Sequence, residues 1–377
     1  MSQKVDIAVI GGGFAGLATA YFLARDSKLR IVVLEQEKKL GGHASGRNAG
    51  MIRQALTDPY LVRLAKEGKE ALKTADRKGW SRIQFQANGS LLLAGGDSEK
   101  ELKKTRDALR KQGILSHWLS RDESVSRVSV LGEAKFSKAL FSPTDAMVDI
   151  KGLLQEFIHA LKTRGVRVLS GRKIQALSRT HSGFLIRTAK QYFYAKKVVN
   201  AAGAWAGIVG EKANATVIPF KAYRRHLFYA DPVKGFKKAW PFVWDLSHEV
   251  YFRPQGKKLM LSPCDKILFR LDVHKRRGTG TDPKMQQVLI KKLRQLSGSF
   301  EGLKIRSKVA GLRTMVPDGR FVIGEDPKLK GFYWVAGLGG HGVTTAFSVG
   351  RLASNLILGR KVDTKLARVF SPRRFVK

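Results

Sequence analysis

The run Val5-Asp-Ile-Ala-Val-Ile-Gly-Gly-Gly-Phe-Ala-Gly-Leu17, with Glu35 closing a second apolar run, constrains this chain more than any other feature. Ile7 to Ile10 has the length of a buried strand, and Gly11, Gly13 and Gly16 then give G-x-G-x-x-G. Leu17, Tyr21 and Leu23, with Ala18 to Ala24, continue as the apolar face of a helix. In such a unit Gly11 permits the tight turn and Gly13 lets the backbone approach a pyrophosphate, while Gly16 lets the helix pack on the strand. The helix start offers free N–H groups and a positive dipole end to phosphates. Arg30 to Leu34 reads as the second strand. Glu35, 19 residues after Gly16, is placed to accept hydrogen bonds from ribose hydroxyls and to disfavour a 2′-phosphate. These spacings predict a βαβ unit over about residues 1–50 that holds a dinucleotide. By itself the unit suits NAD and FAD equally.

The chain has 377 residues, 43% of them hydrophobic, enough for two or three domains. No run of 18 apolar residues suggests a spanning helix, and the early glycines fit a nucleotide motif better than a signal peptide. The single cysteine, Cys264, excludes an intrachain disulfide, so the expected location is cytoplasmic. The charge is unusual, with 70 Lys+Arg against 30 Asp+Glu, a net +40. Nucleic acid, an anionic membrane face and a generally basic surface compete to explain it. The cations are spread along the whole chain, and no zinc-finger, RNP or helix-turn-helix signature accompanies them. No specific nucleic-acid partner is therefore expected. A peripheral contact with the inner membrane face, or with a quinone or other electron acceptor there, stays open beside the plain basic surface. Lys275-Arg276-Arg277 and Arg373-Arg374 read as solvated clusters.

Periodicity predicts helices over about 59–78, 99–112, 150–164, 284–296 and 343–358. Strand-like runs occur at Gly89 to Ala94, Val166 to Leu169, Gly183 to Thr188, Tyr192 to Asn200 and Gly331 to Ala336. Between about 216 and 273 the pattern changes. Leu227 to Ala230, Glu249 to Arg253, Lys258 to Leu261 and Ile267 to Val273 are closely spaced strands separated by Pro254, Gly256 and Pro263, as in an antiparallel sheet. No long linker divides the chain. The expected fold is α/β: a Rossmann-like dinucleotide-binding domain (1–85, 140–212 and 306–377) interleaved with an α+β substrate domain on a mostly antiparallel sheet (86–139 and 213–305).

A second glycine-rich strand end, Gly337-Leu-Gly-Gly-His-Gly342, precedes the last long helix. Its glycines permit close backbone approach to a flat ligand, and a helix start there would stabilise the negative charge of a reduced flavin. Five further segments accompany it in order: the N-terminal motif with Glu35, Gly41-Gly-His-Ala-Ser-Gly-Arg-Asn-Ala-Gly50, Val198-Val-Asn-Ala-Ala-Gly-Ala-Trp205, Gly311-Leu-Arg-Thr-Met-Val-Pro-Asp-Gly319 and Ser371-Pro-Arg-Arg374. With these the chain resembles the FAD-dependent D-amino-acid oxidase superfamily, in its glycine/sarcosine oxidase branch. The closest likeness is to the D-arginine dehydrogenase subgroup.

The resemblance implies FAD as cofactor. It places Gly11, Gly13, Phe14, Ala15, Gly16, Glu35 and Gln36 at the adenosine end, with the Ile174 backbone at the adenine. Gly42, Ser45, Gly46, Arg47, Asn48, Ala49 and Gly50 would line the pyrophosphate and flavin. Ala201, Ala202, Gly203 and Trp205 would form a turn near the pyrophosphate, and Gly340, His341, Gly342, Val343 and Thr344 would border the ring. Arg313 matches the arginine that grips the substrate carboxylate, Tyr251 a tyrosine bonded to the same group, and Arg225 a second such arginine. Residue by residue the alternatives are bland: Arg313 as an interior arginine capping a carbonyl, and Tyr251 as a core residue between Val250 and Phe252.

A guanidinium fork fixes a carboxylate bidentately, which would present the substrate Cα–H to flavin N5 for hydride transfer and give an imino acid. No general base is evident beyond Tyr251 or a water. Where sarcosine oxidases carry a flavin-linked cysteine this chain has Leu312, so the FAD is expected to be noncovalent, with His43 the lesser alternative for attachment. The D-arginine dehydrogenase subgroup has a histidine where Met51 stands and a glutamine where Thr344 stands. No acid that would read a guanidinium is identifiable. The expected activity is oxidation of an amino acid or amine at a CH–NH bond, as in a D-amino acid dehydrogenase or oxidase. The alternatives are a 2-hydroxy acid oxidoreductase of the 2-hydroxyglutarate type and, behind it, a tRNA-modification flavoprotein.

Overall fold

The computed structural model describes residues 2–77, 79–271 and 280–376. Strand Ser2–Ile10 is the centre of the first sheet. It pairs in parallel with Tyr192–Asn200 on one side and Ile31–Leu34 on the other. Val5 and the run from Ile7 to Ile10 are all buried, as a strand covered on both faces requires. Across the sheet the order is Val322–Glu325, Phe332–Ala336, Tyr192–Asn200, Ser2–Ile10, Ile31–Leu34 and Arg167–Leu169. A hairpin, Ile174–Thr180 with Gly183–Thr188, hangs from Tyr192–Asn200. Helix Phe14–Asp26 follows the glycine turn and crosses helix Ala346–Ile357 so closely that a Cβ on Gly350 would lie 2.7 Å from the Ala18 backbone. Tyr21, Trp80, Phe157 and Phe347 close this layer as an aromatic cluster with centroids 5.0–6.4 Å apart.

The second sheet has nine strands among the described residues. Along it lie Ile267–Phe269, Lys221–Ala230, Lys258–Ser262, Val250–Gln255, Phe242–Asp245, Ser90–Ala94, Lys138–Ser142 and His117–Leu119, while Ile305–Met315 pairs along the whole of Lys221–Ala230. Every pairing is antiparallel except that of Phe242–Asp245 with Ser90–Ala94. The register of the two long strands matters most for the site. Arg225 stands opposite Gly311, and Tyr223 stands opposite Arg313. Because side chains alternate with period two, Arg225 and Arg313 leave the same face.

Several expected boundaries move. Lys138–Ser142 and Ile305–Met315 belong to the second sheet, so the chain returns to the first sheet after Met315 rather than at 306. The expected strand at 227–230 begins at Lys221, and that at 267–273 ends at Phe269; Asp272 and Val273 lie outside the described residues, as does the Lys275-Arg276-Arg277 cluster. The last long helix begins at Ala346, not 343, because residues 342–345 are still in turns. Arg374 is not a solvated cation. Its Nε donates to Asp318 at 2.7 Å and its Nη2 to the Phe321 carbonyl at 2.8 Å, holding the Asp318 turn. Among the described residues no helix is long and apolar enough to cross a membrane.

Candidate active site

A cleft of about 900 Å³ opens at the carboxyl ends of Ser2–Ile10 and Ile31–Leu34, where open α/β sheets place their ligands. Gly11, Gly13, Glu35, Gln36, Gly42 and Ser45 line it. Ile174, Ala201, Ala202, Gly203 and Trp205 close its other side. The buried Glu35 carboxylate accepts the N–H of Gly12 at 2.7 Å and of Glu37 at 2.8 Å. Burial raises its pKa, and those two donors pull it back. Each oxygen retains a further lone pair for the cleft. Ser45 Oγ accepts the Phe14 N–H at 3.0 Å, and a Cβ on Gly13 would stand 2.9 Å from that oxygen, so the loop and the helix start meet with no room for a side chain.

Phe14, Ala15 and Gly16 do not line the cleft. They build the helix start, with Phe14 buried against Phe157 and a Gly16 Cβ only 2.0 Å from the Gly11 carbonyl oxygen. The His43 imidazole meets Glu37 through Nε2 at 3.1 Å and lies 4.4 Å from the Trp205 ring centroid.

Leu312 borders both the cleft and a second cavity of about 60 Å³. Arg47, Asn48 and Ala49 form one wall of that cavity, Arg225, Tyr251 and Arg313 another, and Gly340, His341 and Thr344 a third. Arg47 is tied to the carbonyls of Gly42 and Ala310. Arg225 and Arg313 have none of that. The Nε and Nη1 of Arg225 make no hydrogen bond among the described residues, and the hydroxyl of the fully buried Tyr251 makes none of ordinary geometry, with Ser262 as its neighbour, whose own hydroxyl donates to the His226 carbonyl. Arg313 caps no carbonyl among the described residues, and it packs on Gly340, where a Cβ would lie 2.8 Å from its Nε. An unmet buried donor costs about 1–3 kcal/mol. The donors therefore form a set matched to an acceptor with two oxygens.

The charge states follow from burial. Arg313 is lowered to about 10 by burial and then by Arg225, and remains cationic at neutral pH. Burial raises Tyr251, against the pull of Arg313 and Arg225, so the phenol stays a donor and is poorly suited as a base. His341 falls to about 3 through burial, helped by Arg53 and Arg313, and is neutral.

Four expected flavin neighbours, Gly46, Gly50, Gly342 and Val343, face neither cavity. Gly46 and Gly50 shape their loop: a Gly46 Cβ would meet the Gly41 carbonyl at 2.5 Å, and Gly50 has φ of 66°. Val343 is buried in the apolar core. Sequence reasoning missed Arg53 and Trp244, which line the second cavity with the guanidinium carbon 4.1 Å from the indole centroid. It also missed Arg253, whose Nε donates to the Ala49 carbonyl and so ties the second sheet to the motif loop. Arg253 sits two residues after Tyr251, and strand alternation alone puts both on one face. His226, beside Arg225, is held by Asp265 through Nδ1 at 2.8 Å and accepts the Asp282 N–H at Nε2.

Residues 6–356 match the FAD dependent oxidoreductase family, DAO. The chain belongs to this family. It is similar to the mitochondrial sarcosine dehydrogenase of Mus musculus, 26% identical over 96% of this chain, and spans 40% of that protein's length. Against the glycine oxidase of Geobacillus kaustophilus (strain HTA426) the identity is 23%, covering 97% of this chain and 96% of that one. Among solved structures, an L-proline dehydrogenase from P. horikoshii gives a TM-score of 0.89 at 24% identity, covering 100% of this chain and 98% of that chain, a likeness of fold.

As a DAO-family chain it takes FAD, which decides between the two dinucleotides that the glycine motif admitted. The residues fit that group. The cleft volume lies inside the roughly 300–1,000 Å³ of cofactor pockets. Two polar atoms on cleft-lining residues, Arg172 Nε and His43 Nδ1, are buried without a partner among the described residues. The helix start at Gly13 faces the same cleft.

Proposed function

We propose that this DAO-family protein oxidises a carboxylate-bearing amine, foremost a D-amino acid, at the carbon bonded to nitrogen, releasing an imino acid. The observation that carries this reading is the set of donors on Arg225, Tyr251 and Arg313, for which no hydrogen bond of ordinary geometry is made among the described residues, facing a wall made by the Arg47–Ala49 loop. Bound FAD supplies the two-electron acceptor for the hydride. The chain supplies position. Arg313 and Arg225 hold the carboxylate and the Tyr251 hydroxyl donates to it, which fixes the orientation of the adjacent carbon. FAD is held without a covalent bond. The only cysteine, Cys264, lines neither cavity, and Leu312 occupies the place beside Arg313.

A 2-hydroxy acid would offer the same carboxylate, so the test compares the two classes. Reduction of an artificial dye by D-amino acids, with ammonia released, supports the proposal. Reduction by 2-hydroxy acids alone, without ammonia, overturns it.

Tyr251 gives a second check. The substrate amine must be neutral to release hydride, so kcat/KM rises with pH at a slope of about one until the substrate ammonium is titrated. Tyr251→Phe is expected to lower kcat/KM by about 10- to 100-fold, the worth of a hydrogen bond to a charged group, with the rise at the same pH. A rise that disappears in Tyr251→Phe would make the phenol a base rather than a donor.

A further inference from the structure

The second cavity holds more positive charge than one carboxylate uses. Arg53, Arg225 and Arg313 all line it, and all three also line an adjoining space of about 250 Å³ together with Trp244, Gly339 and His341. Among the described residues Arg53 uses only its Nε, on the Ala55 carbonyl at 2.8 Å, and its guanidinium lies over Trp244. Trp244 in turn packs on Tyr251, with ring centroids 4.7 Å apart. The indole thus touches both the phenol of the carboxylate-binding set and a separate guanidinium.

Asp145, Asp265 and Glu101 act on these guanidiniums through space, but among the described residues none of the nearby acids forms an ion pair with Arg53, Arg225 or Arg313. Asp265 uses one oxygen on the His226 N–H and the other on His226 Nδ1. Asp58 is paired with Arg320 at 2.8 Å and caps the N–H groups of Tyr60 and Leu61. Asp145 accepts from Gln54 and Ser90. Glu101 lies exposed on the rim, and Lys266 adds a further cation on the same wall. His341 is neutral, as derived above. One carboxylate is saturated by a bidentate guanidinium and a phenol. With no acid in direct contact among the described residues, the Arg53 fork stays open beside the pair that takes the first carboxylate, and a second carboxylate on the ligand can engage it.

We infer that the substrate is a dianion: a short dicarboxylic acid, amino- or hydroxy-substituted beside one carboxylate, whose second carboxylate is held by Arg53 against Trp244. This rests on the reading that Arg313, Arg225 and Tyr251 take the first carboxylate. The side chain of the substrate then extends into the adjoining space, and a cationic side chain is rejected.

The test uses the FAD-loaded enzyme and follows anaerobic bleaching of the flavin. The probes are matched pairs: both enantiomers of glutamate against glutamine and of aspartate against asparagine, and both enantiomers of 2-hydroxyglutarate against 2-hydroxybutyrate. The acid is expected to exceed its neutral partner in second-order bleaching rate by about 100-fold, the scale of one fully engaged charge pair. Arg53→Met is expected to reduce that ratio at least about 30-fold. As a measurement that needs no variant, glutarate or succinate should perturb the flavin spectrum of the unaltered enzyme at about 10-fold or lower concentration than butyrate. Equal rates for acid and neutral partner overturn the dianion but leave the carboxylate reading standing. Bleaching by amines without any carboxylate, at rates equal to the acids, overturns both.

Discussion

Arg313→Met is expected to lower kcat/KM by about 30- to 1,000-fold, or roughly 2–4 kcal/mol of transition-state binding, while the flavin spectrum and the amount of bound FAD stay unchanged. The argument starts from the register of two strands. Tyr223 stands opposite Arg313 and Gly311 opposite Arg225, so both guanidiniums rise from one face, and Gly311 lets the Arg47 loop approach that face, where a Cβ would lie 3.2 Å from Arg47. Arg313 then lies on the Gly340 backbone and has no protein acceptor among the described residues. Its fork is therefore available to a carboxylate, and methionine of similar length removes the fork while filling the space. Arg313→Lys should recover little, because an ammonium is a point charge and cannot bind both oxygens in one plane. Steady-state kinetics with an artificial acceptor, together with the flavin absorbance of each variant, provide the check. A loss confined to Tm or to FAD content would make Arg313 a structural residue.

Gly11→Ala should cost about 2–4 kcal/mol of stability and yield protein largely free of FAD. Gly11 has φ of 114°, and a Cβ there would stand 2.3 Å from the Ala201 carbonyl oxygen. Two contributions add: backbone strain and an overlap with a second strand end that is tethered, because the Ala201 N–H donates to the Ile10 carbonyl at 2.9 Å, and Ala201 also lines the FAD cleft. Gly79→Ala separates them. Gly79 has φ of 96° but nothing within 4 Å of its Cβ, so that change carries strain alone, about 1–2 kcal/mol, and leaves FAD in place. Thermal unfolding and the ratio of flavin to protein absorbance read both effects. Equal FAD content in the two variants would mean that the close approach of Gly11 to Ala201 does not shape the cofactor site.

What the sequence disclosed and what it hid divide along one physical line. The dinucleotide unit was legible because its parts are local: Gly11 to Gly16 and Glu35 carry their meaning in spacing alone, and Glu35 does close the strand and meet the Gly12 N–H. The antiparallel sheet was legible from period-two runs separated by turns. The convergence of Arg53, Trp244 and Arg253 was not, because it depends on strand register and on loops meeting across about 200 residues, as in the bond from Arg253 to Ala49. Val343 illustrates a different blindness. Nothing local in Gly342-Val-Thr-Thr tells whether an apolar side chain in a glycine-rich turn faces a flat ligand or the core, and here packing against the last helix layer decides for the core. The boundary expected near 306 falls at a strand that serves both halves: Ile305–Met315 pairs with the second sheet while Leu312 reaches the FAD cleft, and no local pattern shows such sharing.

The central claim is that a carboxylate held by Arg313 and its neighbours presents the adjacent C–H of an amine to the flavin. Anaerobic mixing of the FAD-loaded enzyme with amino acids deuterated at that carbon, and with their undeuterated forms, tests it most directly. The account predicts bleaching of the flavin by an amino acid, slowed several-fold by deuterium at that position. A flavin that stays oxidised with every amino acid, or bleaching indifferent to the label, would contradict it.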